Sequence, residues 1–471
     1  FIIFAVSLVI LISIYALIGR KSTDGKRNLP PGGYGWPIIG ESLDFFRDAR
    51  NGEPQKFALS RVEKYKSPIF KTSLLGEKMA FLSGASGNKF LFSNENKLVS
   101  LWWPASVRRL LGPCLSTTSG EEGLAMRKFM SHFLNPERFS KVYITTMDSV
   151  TQQHVRNHWE GKSEVNVFKT AKFYTFELAC RLFLSLDDSD GEIRRLFDLF
   201  NVFLKGIISL DFNFPGFRFH AANRATLVIK QRLQNIVRNR KQMLEQGTRT
   251  DADAPQDLLT HLLVACDENG KFMAESMIVN NILMLLFAGH DTSSSAITLV
   301  MKYLAELPQV YEDVLKEQEE IAGGKESGEF LRWEDIQKMR YTWNVVSEVI
   351  RLAPPVVGSF REALVDITYG GYHIPKGWKL YWGAPSTHRD PDLFAECDRF
   401  DPSRFEGSGP VPYSFVAFGG GPRMCLGKEL ARLEILIFLH NVVRRYEWRL
   451  KMGDERVVYD PMPTPIHGLD I

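Results

Sequence analysis

The chain has 471 residues, 44% of them hydrophobic and 24% charged, close to globular averages, so a disordered or collagen-like protein is excluded. Its 58 basic against 55 acidic residues give a formal net charge of +3, too balanced for a protein that coats phosphate backbones, which argues against nucleic acid as a partner. The five cysteines, at 114, 180, 266, 397 and 425, form no CxxC pair, which speaks against a disulfide scaffold or structural zinc and for a reducing compartment.

Residues 1–18 are apolar except for Ser7, Ser13 and the amphipathic Tyr15. A helix of that length spans about 27 Å, just under the hydrocarbon core, and is expected to cross a bilayer. No small-x-small cleavage site follows it, whereas Arg20, Lys21, Lys26 and Arg27 do. The pattern predicts an anchor over 1–19 in membrane lipid, with the body of the chain held on the cytosolic side. Residues 20–40 form a basic, then Pro/Gly-rich hinge with Trp36 expected at the membrane interface. Beyond it there is no repeat, and the linker-like pieces 248–255 and 323–328 are too short to divide the chain, so 41–471 reads as one domain. Apolar residues recur at three and four over 281–307, 309–321 and 428–446, and more weakly over 335–352, which predicts helices there. The segments 367–374 and 378–382 alternate around Gly and Pro turns and predict strands. The fold class is mainly α with a minor β-sheet.

Chemistry is concentrated in 418–427, where Phe418, Gly421, Arg423, Cys425 and Gly427 fall at F-x-x-G-x-R-x-C-x-G spacing ahead of a helical run. The glycines let backbone pass close beneath a flat ligand. A cysteine at a helix start is biased toward thiolate by the unpaired N–H groups and the macrodipole. This loop resembles the haem-binding loop of the cytochrome P-450 superfamily. The resemblance implies that fold with an N-terminal anchor helix, haem b as cofactor, and Cys425 as axial thiolate on the iron, the ligand type that favours O–O cleavage. It assigns Arg423 and Arg361 to the haem propionates, and Arg127 with them, although Gly123 stands where relatives carry Trp or His.

The run 285–295 interrupts an apolar helix with Gly289, His290, Asp291, Thr292 and three serines. It resembles the family's oxygen-side helix: Ala288 and Gly289 would leave room for dioxygen, and Thr292 with Asp291 would relay protons. His290 reads as a packing residue. Glu348 and Arg351 put opposite charges at i and i+3 on one helix face among valines. With Arg404 of the Phe400-Asp401-Pro402-Ser403-Arg404-Phe405 segment, the resemblance makes them a structural lock. Val356, Val357 and Phe360 would border the substrate, and Trp102 and Trp103 would line an access channel or dip into the membrane.

No GxGxxG opens a βαβ unit and no Walker loop appears, so the chain carries no nicotinamide or flavin site that its sequence reveals. Electrons are expected from NADPH through a cytochrome P-450 reductase, docking on a basic face drawn from Arg108, Arg109, Arg127, Lys128, Lys428 and Arg432. Segments 171–183, 333–341, 374–380 and 432–436 resemble the plant group of triterpene oxidases, which implies oxidation of β-amyrin or a related skeleton, one methyl passing through alcohol and aldehyde to acid. Ser293 replaces that group's second Thr and Leu426 its Pro. Taxane diterpenoid hydroxylases and a reductase-independent, hydroperoxide-rearranging haem enzyme are the alternatives. The expected location is the endoplasmic reticulum membrane.

Overall fold

The computed structural model describes residues 28–134, 143–188, 190–246, 257–266, 270, 272–326 and 328–471, together with 6, 7, 9, 10 and 14. The anchor, apart from those five positions, the basic part of the hinge (20–27) and the linker-like piece 248–255 lie outside the described residues.

Strands β1 (Ile69–Leu74) and β2 (Glu77–Leu82) lead to helix α1 (Gly84–Ser93), strand β3 (Val99–Trp102) and α2 (Gly120–Phe133). The helical body follows as α3 (Ile144–His158), α4 (Val167–Leu184), α5 (Glu192–Ile207), α6 (Arg218–Glu245), α7 (Glu275–Glu306), α8 (Pro308–Gly323), α9 (Trp333–Lys338) and α10 (Arg340–Leu352). Then come β4 (Gly358–Ala363), β5 (Ile367–Tyr369), β6 (Tyr372–Ile374), β7 (Lys379–Gly383), α11 (Ala384–His388), α12 (Lys428–Val443) and a closing pair, β8 (Val457–Tyr459) and β9 (Pro463–Pro465).

The long helix α7 is apolar on nearly every face, as a helix at the centre of a large core must be. It packs against α4, α6, α10 and α12. Among the described residues it is the one helix long and apolar enough to cross a membrane, and burial inside the fold accounts for that composition. Three of its hydroxyls do not break it, because they bond back to its own carbonyls: Thr292 Oγ1 to Ala288 O at 2.8 Å, Ser294 Oγ to Asp291 O at 3.0 Å and Thr298 Oγ1 to Ser294 O at 2.7 Å.

The stretch predicted as one helix over 335–352 is two. Met339, at ψ 54°, breaks it between α9 and α10, and Asp335 turns back to accept from Arg332 N at 2.9 Å at the start of α9. The strand predicted over 367–374 is a hairpin, since Gly370 and Gly371 at φ 56° and 80° supply the left-handed pair that a tight turn requires.

The larger sheet runs β1-β2-β7-β4-β3, antiparallel except for β2 beside β7. Arg361 sits between Leu101 and Leu380 in its ladder. One face carries an aromatic cluster in which Phe70 stacks on Phe81 at 5.0 Å and Phe360 meets Tyr381 at 4.9 Å. Such pairs add to area burial through their quadrupoles.

Burial lowers the basicity of several core histidines. His154, His388 and His440 are held at about 3 and His290 at about 4, against an ordinary 6.5, desolvation of the imidazolium being the main cause. The unfolded chain takes up these protons below pH 6.5 while the folded one does not, so stability falls as pH drops from 6.5 toward 4. Buried Glu434, pushed up to about 8, works the other way above its ordinary 4.5, as does Glu177, whose carboxyl burial also raises, but these are two carboxyls against the four histidines. Each histidine contributes up to about 1.4 kcal/mol per pH unit in this window. Denaturation midpoints of the holoprotein are expected to fall steadily from pH 6.5 to 5, and a flat profile would contradict this.

Candidate active site

The cysteine loop closes on itself. Cys425 N donates to Phe418 O at 2.9 Å, Gly419 N to Val416 O at 2.8 Å and Met424 N to Gly421 O at 3.0 Å. Packing constrains two of the glycines. A Cβ on Gly420 would come within 2.4 Å of the Phe92 ring, and one on Gly421, at φ 62°, within 2.5 Å of Phe92 O. These two glycines admit helix α1 against the loop. Phe418 lies partly buried on the core, with Lys428 Nζ 5.8 Å from its ring centroid.

Cys425 does not start a helix, since α12 begins three residues later at Lys428. Cys425 is exposed as a residue, yet enough protein surrounds its sulfur that burial pushes the thiol above its usual range. That effect outweighs the Gly427 N–H and the positive charges of Arg127 and Lys428. A bound metal cation would favour the thiolate there. A Cβ on Gly427 would stand 3.9 Å from the sulfur, an ordinary contact.

The three arginines converge around the recess. Arg423 donates to Leu115 O at 3.3 Å and Thr118 O at 2.9 Å. Arg361 donates to Ser359 Oγ at 3.2 Å and Phe360 O at 2.8 Å. Arg127, on α2, bonds Met424 O in the cysteine loop, and burial together with neighbouring Arg423 lowers its pKa. Gly123 is accounted for by the same cluster, because a Cβ there would meet Thr118 O at 2.5 Å and Arg423 Nη2 at 3.1 Å.

On α7, Ala288, Gly289 and Thr292 stay partly accessible between buried neighbours, and their spacing gathers them on one face. Nothing lies closer than 3.9 Å to a Cβ at Gly289. Thr292 commits its hydrogen to Ala288 O, so its oxygen is left to accept. Asp291 turns elsewhere: its Oδ1 pairs with Lys172 Nζ of α4 at 2.9 Å, both largely buried. Ser293 is hydrogen-bonded to Glu434 of α12. His290 is packing, edge-on to Phe176 at 5.1 Å with Nδ1 on Leu286 O.

The substrate-border expectation divides. Val357 is half-buried and Val356 38% exposed in the turn before β4. Phe360 lies in the sheet's aromatic cluster, on the opposite face of β4 from Arg361. Trp102 and Trp103 pack edge-on to Phe360 at 5.5 and 6.3 Å, and Trp103 Nε1 donates to Ser116 O, so both belong to the fold. Of the cationic face, Arg108 and Lys128 are exposed, Arg109 pairs with Asp211 at 3.1 Å and Arg432 with Glu429 at 3.2 Å.

The lock is assembled. Arg351 Nε and Nη2 donate to the two Glu348 oxygens at 2.7 and 2.8 Å with both side chains fully buried. Arg351 Nη1 reaches His388 O and Cys397 O at 2.7 and 2.8 Å. Arg404 Nε lies 3.4 Å from Glu348, a charge contact without hydrogen-bond geometry. His388, which the sequence did not single out, joins the lock to the loop: Nδ1 donates to Arg351 O at 2.9 Å, and Nε2 accepts from Val416 N at 3.0 Å, three residues before Gly419.

A profile of the cytochrome P450 family matches residues 30–466. The chain is a cytochrome P450. It is 52% identical over 462 residues to a β-amyrin 28-monooxygenase of Saponaria officinalis, covering 98% of this chain and 94% of that one. A β-amyrin 6-β-monooxygenase of Solanum lycopersicum is 46% identical, with 98% and 96% covered. Among solved structures, a retinoic acid-bound cyanobacterial P450 superposes with TM-score 0.86 at 34% identity, covering 95% of this chain and 99% of that one. Membership of this P450 family brings haem b, dioxygen as oxidant and NADPH-derived electrons delivered by a reductase. The residues present fit that cofactor: a cysteine sulfur on the loop, beside three guanidinium groups that suit its carboxylates.

Arg351→Met removes the bidentate partner of buried Glu348, leaving the longer Arg404 contact, and is expected to cost about 3–5 kcal/mol. Arg404→Met, which removes one longer contact, should cost clearly less. Urea denaturation of the two variants checks the order, and equal losses would contradict it.

Proposed function

We propose that this P450 oxidises a pentacyclic triterpene, β-amyrin or a close skeleton, taking one methyl through alcohol and aldehyde to carboxylic acid. The observation that carries the proposal is near-full-length identity of 50–52% to β-amyrin 28-monooxygenases of Saponaria officinalis, Kalopanax septemlobus, Solanum lycopersicum and Vitis vinifera. The 6-β relative keeps the skeleton and changes the carbon, so the skeleton is the firmer part of the reading. A rigid polycyclic guest would gain about 25 cal/mol per Å² of buried apolar surface while losing little conformational freedom.

In this reading Cys425 is the thiolate ligand of the haem iron, with the Gly427 N–H on its sulfur. Phe418, Gly421 and Gly427 shape the loop around it, and Arg423, Arg361 and Arg127 hold the propionates. When bound, haem b supplies electron transfer and oxygen activation. Ala288 and Gly289 leave space above it, and Val356 and Val357 border the guest. Thr292 Oγ1, its hydrogen already donated to Ala288 O, accepts a hydrogen bond from the recess. Asp291, held by Lys172 at 2.9 Å, is the group that would relay protons with Thr292.

Residues 1–19 are proposed as a single-pass anchor in the endoplasmic reticulum membrane and 20–40 as the hinge, with 41–471 cytosolic. Trp36, Ile38 and Ile39, at 72, 62 and 43% exposure, support contact of the hinge with lipid.

Yeast that makes β-amyrin, supplied with this protein and a plant reductase, is expected to accumulate the alcohol, aldehyde and acid of one methyl group. Oxidation of a taxane diterpene with β-amyrin untouched would move the substrate. Reductase-free turnover of a fatty-acid hydroperoxide, with no triterpene product, would overturn the reaction class.

A further inference from the structure

Glu95 belongs to none of the motifs, yet it sits at the junction of two arginines near the recess. It follows α1 in a bridge to Val99, and only 1% of its side chain is exposed. Oε2 accepts from Arg361 Nε at 2.5 Å. Oε1 accepts from Leu101 N at 3.2 Å and lies 3.4 Å from Arg423 Nε, a buried donor with no hydrogen-bond partner. One carboxylate is thus shared by guanidinium groups arriving from β4 and from the cysteine loop. Arg127 adds a third positive group beside Arg423.

Among the described residues, no other carboxylate forms an ion pair with any of these three arginines. The cluster therefore carries two more positive charges than negative in a poorly solvated place, where uncompensated charge is costly. A ligand with two carboxylates balances it.

Resting on the haem reading above, we propose that Glu95 is a positioning residue for the haem carboxylates. It clamps Arg361 to Arg423, so that their remaining donors present a fixed spacing, and it trims the positive charge of the cluster to that of a dianion's counterpart. A cluster of three arginines without Glu95 would over-stabilise the reduced, more negative haem. With Glu95 lengthened, shortened or neutralised, the two functions separate: charge acts on potential, and geometry acts on haem retention.

The test compares haem-loaded Glu95→Gln and Glu95→Asp with wild type, reading the ferric/ferrous potential and the rate of haem transfer to an excess of a haem-scavenging apoprotein. Glu95→Gln, which removes one negative charge, should raise the ferrous-to-ferric ratio at fixed applied potential by about threefold or more. Glu95→Asp, which keeps the charge but draws it back, should hold the wild-type potential and lose haem several-fold faster. A wild-type potential in Glu95→Gln, or an equal rise in both variants, overturns the proposal. If Glu95→Gln does not fold, Glu95→Asp decides: wild-type haem retention, or failure to fold as well, makes Glu95 an ordinary structural residue. The carbon-monoxide spectrum of the wild-type sample is read alongside. A thiolate signature with unchanged potentials rejects the clamp alone, whereas no thiolate signature in wild type rejects the haem reading beneath it.

Discussion

A guanidinium and a carboxylate with no exposed surface, Arg351 and Glu348, hold the support of the cysteine loop together. Neither is tolerable alone in the core. Their mutual pairing leaves Arg351 with donors to spare, and these take the carbonyls of His388, Cys397 and Arg399, three chain positions that no helix or strand would satisfy. Irregular backbone can therefore be buried beneath the cysteine loop without orphaned oxygens. His388 carries the constraint onward, neutral because it is buried, with one nitrogen on Arg351 O and the other on Val416 N. The position of Cys425 follows from this chain of contacts as well as from the loop's own hydrogen bonds.

The same logic recurs at the edge of the recess, with Glu95 shared between Arg361 and Arg423, and on the distal helix, with Asp291 held by Lys172. In each case a buried carboxylate organises cations from elements far apart in sequence. The apolar core fixes where α7, α10 and α12 lie, and the buried ion pairs fix how their functional side chains are aimed. Buried pairs contribute little net stability against hydrophobic replacements, so specificity of arrangement is the better account of them here.

Much of this was legible in the residues. The periodicity that predicted 281–307, 309–321 and 428–446 is the periodicity of α7, α8 and α12. The spacing of Phe418 to Gly427 singled out the cysteine loop, and Glu348 with Arg351 announced itself by standing among valines. What could not be read was direction. Whether Gly420 and Gly421 made room for a ligand or for Phe92 depends on where α1 packs. Whether Phe360 faced a guest or the sheet depends on the register of β4. Glu95, Lys172 and His388 gave no signal of their own, because each acts through a partner distant in sequence, and a lone Glu, Lys or His is most often a solvated or merely packed residue.

The account turns on sulfur from position 425 being the iron ligand. The most direct measurement is the reduced carbon-monoxide difference spectrum of the purified protein beside that of Cys425→Ser. The wild-type protein should give the thiolate band and the variant should lose it. A band that survives the substitution, or a wild-type protein that never shows one after haem supplementation, would contradict the account.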